Sequence, residues 1–465
     1  MTSAPRNSPS DGAESTAPDG PKIWRVGTLT YTMGGLLLLF FWLLGGDFAL
    51  NIRDRAVPPV MQIMFKKFGA SNLMTGVIFS SIPGLLSLFV GPIVAFKSDR
   101  LRSRWGRRIP FMIVPVPFIV LATVGLAFSP QLGQVLSNFL GRSSPGLATS
   151  SLIVMAICWT IFEVGCITTY AVLGALQMDV VPQEVMGRFF ALYRAVGLIA
   201  GMMFYHAVLK HAQAHFTWIF LGIGAIYGVA FTIMCLKVKE GRPPEVIDAA
   251  GPHPGFFGAV ITYFHDGFGN PYYLWFFAAT ILGGLCSGPF NLFSIYYSES
   301  IGLSDGAYGD CITLSYGISL CLSYPIGMAA DRFHPLRLSI AALALYTLTM
   351  AGAGIFVRDA YSFGIALVAH TVISGLMFTS WASLPQRLLP RARFAEIGSA
   401  GGIIGSIVGI FFAPAVGRFL DIMHDNYRYT FFISALLTFG ALLAFIILHG
   451  RFMAFGGPKN YVAPE

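Results

Sequence analysis

The chain has 465 residues, of which 55% are hydrophobic and only 11% charged, with a mean hydropathy of +0.68. A soluble domain carries roughly a quarter charged residues, so a soluble enzyme is excluded and an integral membrane protein is the class that fits. The formal net charge of +8 does not signal nucleic acid, because the basic residues sit in short connectors beside apolar runs, where the positive-inside bias places them.

Residues 1–21 are rich in Ser, Pro, Ala and Gly. Such a segment cannot bury a core and is read as a disordered tail. It is not a signal peptide, since no basic stretch leads straight into a short apolar core with a cleavage site. Apolar runs long enough to cross a bilayer then follow one another. They predict an all-α membrane protein with twelve transmembrane helices, near 27–56, 72–97, 109–129, 149–176, 187–210, 216–237, 271–299, 306–330, 336–357, 361–388, 396–423 and 428–450. Gly, Pro and charge clusters punctuate the junctions.

Orientation follows from the connectors. One set holds Lys97 to Arg108, Arg188, Lys237, Lys239, Arg242, Arg332, Arg337, Arg387, Arg391 and Arg393; the other holds Arg53, Arg55, Lys66, Lys67, Arg142, Lys210, Arg358 and Arg428. The richer set belongs inside, which makes both termini cytoplasmic. The Lys66–Lys67 pair runs against that trend and is outweighed by the connector from Lys97 to Arg108. The six cysteines fall within spans and form no C-x-x-C pair, so neither a disulfide framework nor a zinc site is expected. No cofactor is implied.

The longest internal polar stretch, 238–270, contains "GRPPEVIDAAGPHPG" and reads as a cytoplasmic linker. It separates an N-terminal six-helix bundle (22–237) from a C-terminal one (271–450), with 451–465 as a cytoplasmic tail. "FFGAVITYF" within the linker is read as a short amphipathic helix on the inner surface. The halves echo each other: "PIVAFKSDR" (92–100) matches "PIGMAADR" (325–332), and "VVPQEVMGRFF" (180–190) matches "LLPRARFAEIG" (388–398). Parallel repeats of this kind suit a rocking transporter.

"SDRLRSRWGRRIPF" (98–111) carries a family likeness. An Asp–Arg pair, further basic residues and Gly-Arg-Arg between spans two and three resemble the signature loop of the major facilitator superfamily. The specific form resembles the glycoside–pentoside–hexuronide symporters and the related sucrose transporters. "GGDFAL" (45–50), "TYAVLGALQMDVVPQEVMGRFFALYR" (169–194) and "FGNPYYLWFF" (268–277) agree with that group. The resemblance implies the major facilitator fold, with Asp47 contacting the sugar. Sodium-coupled members place two Asp residues in span two, at positions where this chain has Ser87 and Gly91. Sodium coupling is therefore not expected, and a proton or no coupling ion remains.

The residues themselves add a physical reading. Asp99, Arg100, Arg107 and Arg108 can form charge-assisted bonds at the membrane edge. They are read as a conformational latch that breaks when the inner side opens, with Asp331 and Arg332 as a weaker counterpart. The alternative is that the arginines only fix topology and bind anionic lipid. Charge inside a span marks function by default. Asp47, Asn51 and Arg55 make a polar stripe on span one, with Trp42 near enough to stack on a sugar. Asp47, Asn51, Trp42, Tyr170 and Trp381 are the candidate substrate contacts. Glu163 and Arg194 are the candidate coupling pair, Glu163 holding a proton or pairing with Arg194. Gln177, Tyr193, Asn291, Tyr296, Tyr316, His370 and Gln386 are further cavity candidates.

These expectations combine into a monomeric secondary transporter, not an enzyme, in a bacterial inner membrane. It moves a glycoside or oligosaccharide by alternating access, with a proton. Two rival classes share the scaffold: an exporter of amphiphilic compounds, and a non-transporting assembly or pigment-handling factor.

Overall fold

The computed structural model describes residues 23–241, 270–381, 384–390 and 394–464. The expected tail at 1–21 and the linker helix "FFGAVITYF" lie outside these. Among the described residues the chain opens with a β-hairpin, β1 (Trp24–Val26) and β2 (Leu29–Tyr31). Twelve crossing helices follow: α1 (Met33–Lys67), α2 (Asn72–Arg100), α3 (Ile109–Ala127), α4 (Leu147–Val180), α5 (Gln183–Met203), α6 (Ala212–Lys237), α7 (Pro271–Ser300), α8 (Asp305–Phe333), α9 (Pro335–Phe356), α10 (Ala360–Trp381), α11 (Phe394–Ile422) and α12 (Tyr429–Ala454).

Ten stretches are long and apolar enough to cross a membrane. One of them, Gln183–Lys237, has 55 residues. As one straight helix it would be about 80 Å long, far more than a bilayer. It makes two passes, because the chain passes through a π turn at Phe204–Val208 and a 3₁₀ turn at Leu209–His211, and His215 leaves helical geometry (φ −126°, ψ 25°). α8, with 29 residues, completes the twelve although it falls outside those ten stretches.

Three local expectations need correction. Residues 27–31 belong to the hairpin that precedes α1, and the Thr32 side chain caps α1 by accepting from the Gly35 N–H. α1 then runs to Lys67, well past the expected end at 56. Pro58 and Pro59 lie inside it; a membrane helix tolerates them when neighbours satisfy the freed backbone groups. Arg53, fully buried, and Arg55, half-buried, therefore lie within the span and do not count as connector charges. Residues 130–148, expected as a connector, hold most of a short helix at Ser129–Leu140 packed on α4.

α1–α6 pack mainly among themselves, as do α7–α12; the main contacts across the seam are α2 with α11, α5 with α8, and α1 with α7. Large apolar side chains such as Phe41, Leu121, Phe356, Phe411 and Leu436 are exposed on the outside. That surface suits lipid, since only a bilayer makes such exposure favourable. The two ends of the barrel differ. One carries Arg100 to Arg108, Lys237, Arg337 and the first and last described residues, and is called the basic end below; the other is the far end.

Candidate functional site

The middle of α1 carries Arg53, Asp54 and Arg55. Consecutive helical residues point about 100° apart, so each meets a different neighbour. Arg53 is fully buried. Its Nε donates to Asp54 Oδ1 at 2.8 Å and its Nη2 lies 2.6 Å from the same oxygen. Its guanidinium lies over the rings of Tyr227 (4.5 Å), Phe162 (5.6 Å) and Tyr170 (5.9 Å), an aromatic cage that stabilises a desolvated cation. The second carboxylate oxygen of Asp54 accepts a hydrogen bond from the Tyr170 hydroxyl. Arg55 turns the other way and donates to the Tyr316 hydroxyl of α8 at 2.5 Å.

Asp54 opens onto a cavity of about 540 Å³ whose wall includes Pro58, Ser87, Gly91, Glu163 and Tyr170. A second cavity, about 400 Å³, lies between the two sets of helices and includes Gln62, Ser80, Trp159 and Asn291. Pro58 and Glu163 line both. Sites of roughly 300–1,000 Å³ hold small molecules. Glu163 lies near Arg53 and Asp54 but makes no ion pair or hydrogen bond among the described residues. Asn291 faces the second cavity from α7, with His370 and Tyr346 behind it.

The expected stripe Asp47–Asn51–Arg55 does lie on one face of α1, but none of the three lines either of these two cavities. Asp47 is 4% exposed, and Asn51 Nδ2 donates to its Oδ1 at 2.9 Å. Asn51 packs against Gly197 of α5, where a Cβ would come within 2.7 Å of its Oδ1. The cavity face is the adjacent stripe, Asp54, Pro58 and Gln62. Sequence reasoning missed it because span one was placed at 27–56, which leaves Pro58 and Gln62 outside the membrane; the i, i+4, i+8 spacing of those residues was the available signal. Of the other expected contacts, Tyr170 lines the first cavity. Trp42 is engaged elsewhere, against Phe41 (ring centroids 5.0 Å apart) and Lys237. Trp381 stacks on Phe445 (5.6 Å) and packs against Gly283.

The expected Glu163–Arg194 pair is absent. Arg194 Nη2 instead donates to Thr379 Oγ1 of α10 at 3.0 Å, so α5 presents its guanidinium to the second set of helices. Tyr193 lies beside Asp47. Tyr296 bonds Thr75 across the seam at 3.2 Å.

The basic loop is tied within the first six helices. Asp99 Oδ1 lies 2.5 Å from Arg108 Nη2, and Arg107 Nη2 bonds both oxygens of Asp179 at the end of α4 (2.9 and 2.8 Å). Glu240, just beyond α6, accepts from the backbone N–H groups of Arg107, Arg108 and Ile109 at 2.7–3.1 Å. It caps the start of α3, where a carboxylate meets unpaired amides and the positive end of the helix dipole. Asp179 and Glu240 were not foreseen. Arg100 lies over the Phe96 ring (3.8 Å) and Arg332 over Phe333 (5.4 Å); the Asp331 side chain is outside what the structure describes.

The seam is closed at the far end. The Asp421 carboxylate of α11 accepts from the backbone N–H groups of Asn72 (2.8 Å) and Leu73 (3.0 Å), the first residues of α2. Asp425 accepts from Asn72 Nδ2 (2.6 Å) and Lys66 Nζ (3.1 Å). Tyr427 joins Lys66 and Asn72, and burial raises its hydroxyl pKa. His206 and Asp310 lie 2.7 Å apart, and Gln213 donates to Asp305 at 3.0 Å. Each carboxylate comes from the second half of the chain and each group that donates to it from the first. Gly417 lets the backbones touch: a Cβ there would lie 2.2 Å from the Asn72 carbonyl oxygen.

Comparison with known proteins agrees with this architecture. A sucrose transport protein of Arabidopsis thaliana, SUC4, is 26% identical over 162 residues, 34% of this chain and 30% of that protein. A sucrose transport protein of Oryza sativa subsp. japonica, SUT1, is 29% identical over 105 residues, 22% of this chain and 19% of that protein. The matches thus span less than a third of the length of these relatives. The crystal structure of a D-xylose–proton symporter superposes with a TM-score of 0.64 at 13% identity, covering 92% of this chain and 98% of the other, which shows the shared fold. A family model described as MFS/sugar transport protein matches residues 46–391, well over half of the chain; the protein belongs to that family, whose members are membrane transporters and not enzymes.

Proposed function

We propose that the protein carries a glycoside or oligosaccharide across the membrane by alternating access, with a proton as the coupling ion. The observation that carries this reading is the position of Glu163, on the wall common to two membrane-embedded cavities and free of any partner among the described residues. A carboxylate accepts two sugar hydroxyls at once, and protonation removes a charge that the bilayer disfavours. Cargo and proton can thus meet at one group. Asp54, Tyr170, Gln62, Ser80 and Asn291 supply further donors and acceptors around the same space. The sucrose relatives support a saccharide as the cargo class.

The bonded far end corresponds to the inward-facing state, with the basic end cytoplasmic in a bacterial inner membrane and the chain working as a monomer. In this state Asp99 and its arginines are satisfied within one bundle; in the outward-facing state they latch onto the other. Ser87 and Gly91 on the cavity wall bring no carboxylate to a cation, which favours a proton over sodium.

The test is uptake of labelled sucrose, maltose and raffinose into proteoliposomes, with and without an inward proton gradient and with a sodium gradient alone. Uptake of at least one sugar, faster with the proton gradient, is expected. Lack of saccharide uptake under every gradient overturns the reading.

A further inference from the structure

His370 is buried in α10, 2% exposed, and Tyr346 of α9 is fully buried. The two are joined by a 2.8 Å contact between the Tyr346 hydroxyl and His370 Nδ1, and His370 Nε2 lies 2.8 Å from Asn291 Oδ1. Asn291 lines the cavity between the two sets of helices, and its Nδ2 has no partner among the described residues. A neutral imidazole donates through one nitrogen and accepts through the other. If Nδ1 carried the proton, the Tyr346 hydroxyl would accept it and its own O–H would be left without a described acceptor in the core, a costly arrangement. With the proton on Nε2, every group is satisfied: Tyr346 donates to Nδ1, Nε2–H donates to Oδ1, and the Asn291 amide N–H groups face the cavity. Phe290 fixes the ring from the side, with centroids 4.5 Å apart.

We propose that Asn291 is a specificity-determining contact that presents hydrogen-bond donors to one hydroxyl oxygen of the cargo, and that His370 and Tyr346 are positioning residues that hold it in that sense. This rests on the saccharide reading above and deepens it. The cavity then has two chemically distinct walls: Glu163 accepts on one side, and Asn291 donates on the other. A saccharide with an acceptor oxygen at that position is selected, and the analogue lacking it is not.

The experiment compares proteoliposome uptake of the best-transported sugar with its set of monodeoxy analogues, in wild type, Asn291→Ala, Asn291→Asp and Tyr346→Phe. Each variant is scored by the ratio of parent to analogue kcat/KM, which is independent of how much protein folds. In wild type one analogue falls by about tenfold relative to the parent. That ratio collapses toward one in Asn291→Ala and Asn291→Asp and shrinks in Tyr346→Phe, while ratios for the other analogues stay put. Unchanged ratios in the Asn291 variants, with the parent sugar still transported, overturn this inference and leave the saccharide reading standing. Absence of saccharide uptake by wild type overturns both.

Discussion

Arg53 and Asp54 are consecutive residues paired at 2.6 Å in the middle of a 35-residue membrane helix. Both are needed. Removing one partner of a buried pair strands a charge and costs about 3–5 kcal/mol, whereas replacing both with apolar groups can be nearly neutral. Asp54→Asn is expected to lower stability in detergent by about that amount, and Arg53→Met with Asp54→Leu to recover most of it. A thermal-unfolding cycle over the single and double variants checks this. Equal, additive losses would show that the two side chains do not act as a pair.

The far-end seam predicts a conformational bias. A side chain at Gly417 collides with the Asn72 carbonyl oxygen, and Asp421 holds the first two amides of α2. Gly417→Val should keep that end open, and Asp421→Asn should loosen it. A cysteine at Leu73, labelled from the far side with a membrane-impermeant maleimide, is expected to react roughly tenfold faster in the Gly417→Val background as the open state gains population. Unchanged labelling would mean that these contacts do not control closure.

At the basic end, Asp99 is joined to Arg108 at 2.5 Å while Arg107 and Arg108 are also held by Asp179 and Glu240. Because those other carboxylates keep the loop folded, Asp99→Asn should insert normally. If Asp99 contributes to the opposite conformation, transport should fall about fivefold, a coupling of about 1 kcal/mol. The measurement is initial uptake rate normalised to protein in the membrane; wild-type rates would remove the latch role.

The residues show why some of this was legible in sequence. Long apolar runs and clustered arginines are one-dimensional signals, so twelve crossings and a basic end could be read directly. Boundaries misled. The first span was expected to end near 56, yet α1 continues to Lys67 through Pro58 and Pro59 and carries the cavity-lining Gln62 beyond that point. The stripe Asp47–Asn51–Arg55 has the same spacing as Asp54–Pro58–Gln62. Only the packing of α5 decides which face meets a cavity and which meets another helix. The partners of the basic loop, Asp179 and Glu240, lie far along the chain from it. Neither carries any local mark of that role.

Glu163 gives the account its most direct test. Labelled sugar uptake into proteoliposomes under an inward proton gradient should rise above equilibrium with wild type. With Glu163→Gln it should stop at equilibration, because the amide cannot carry the coupling proton. Accumulation by Glu163→Gln to the wild-type level would contradict the claim that cargo and proton meet at this carboxylate.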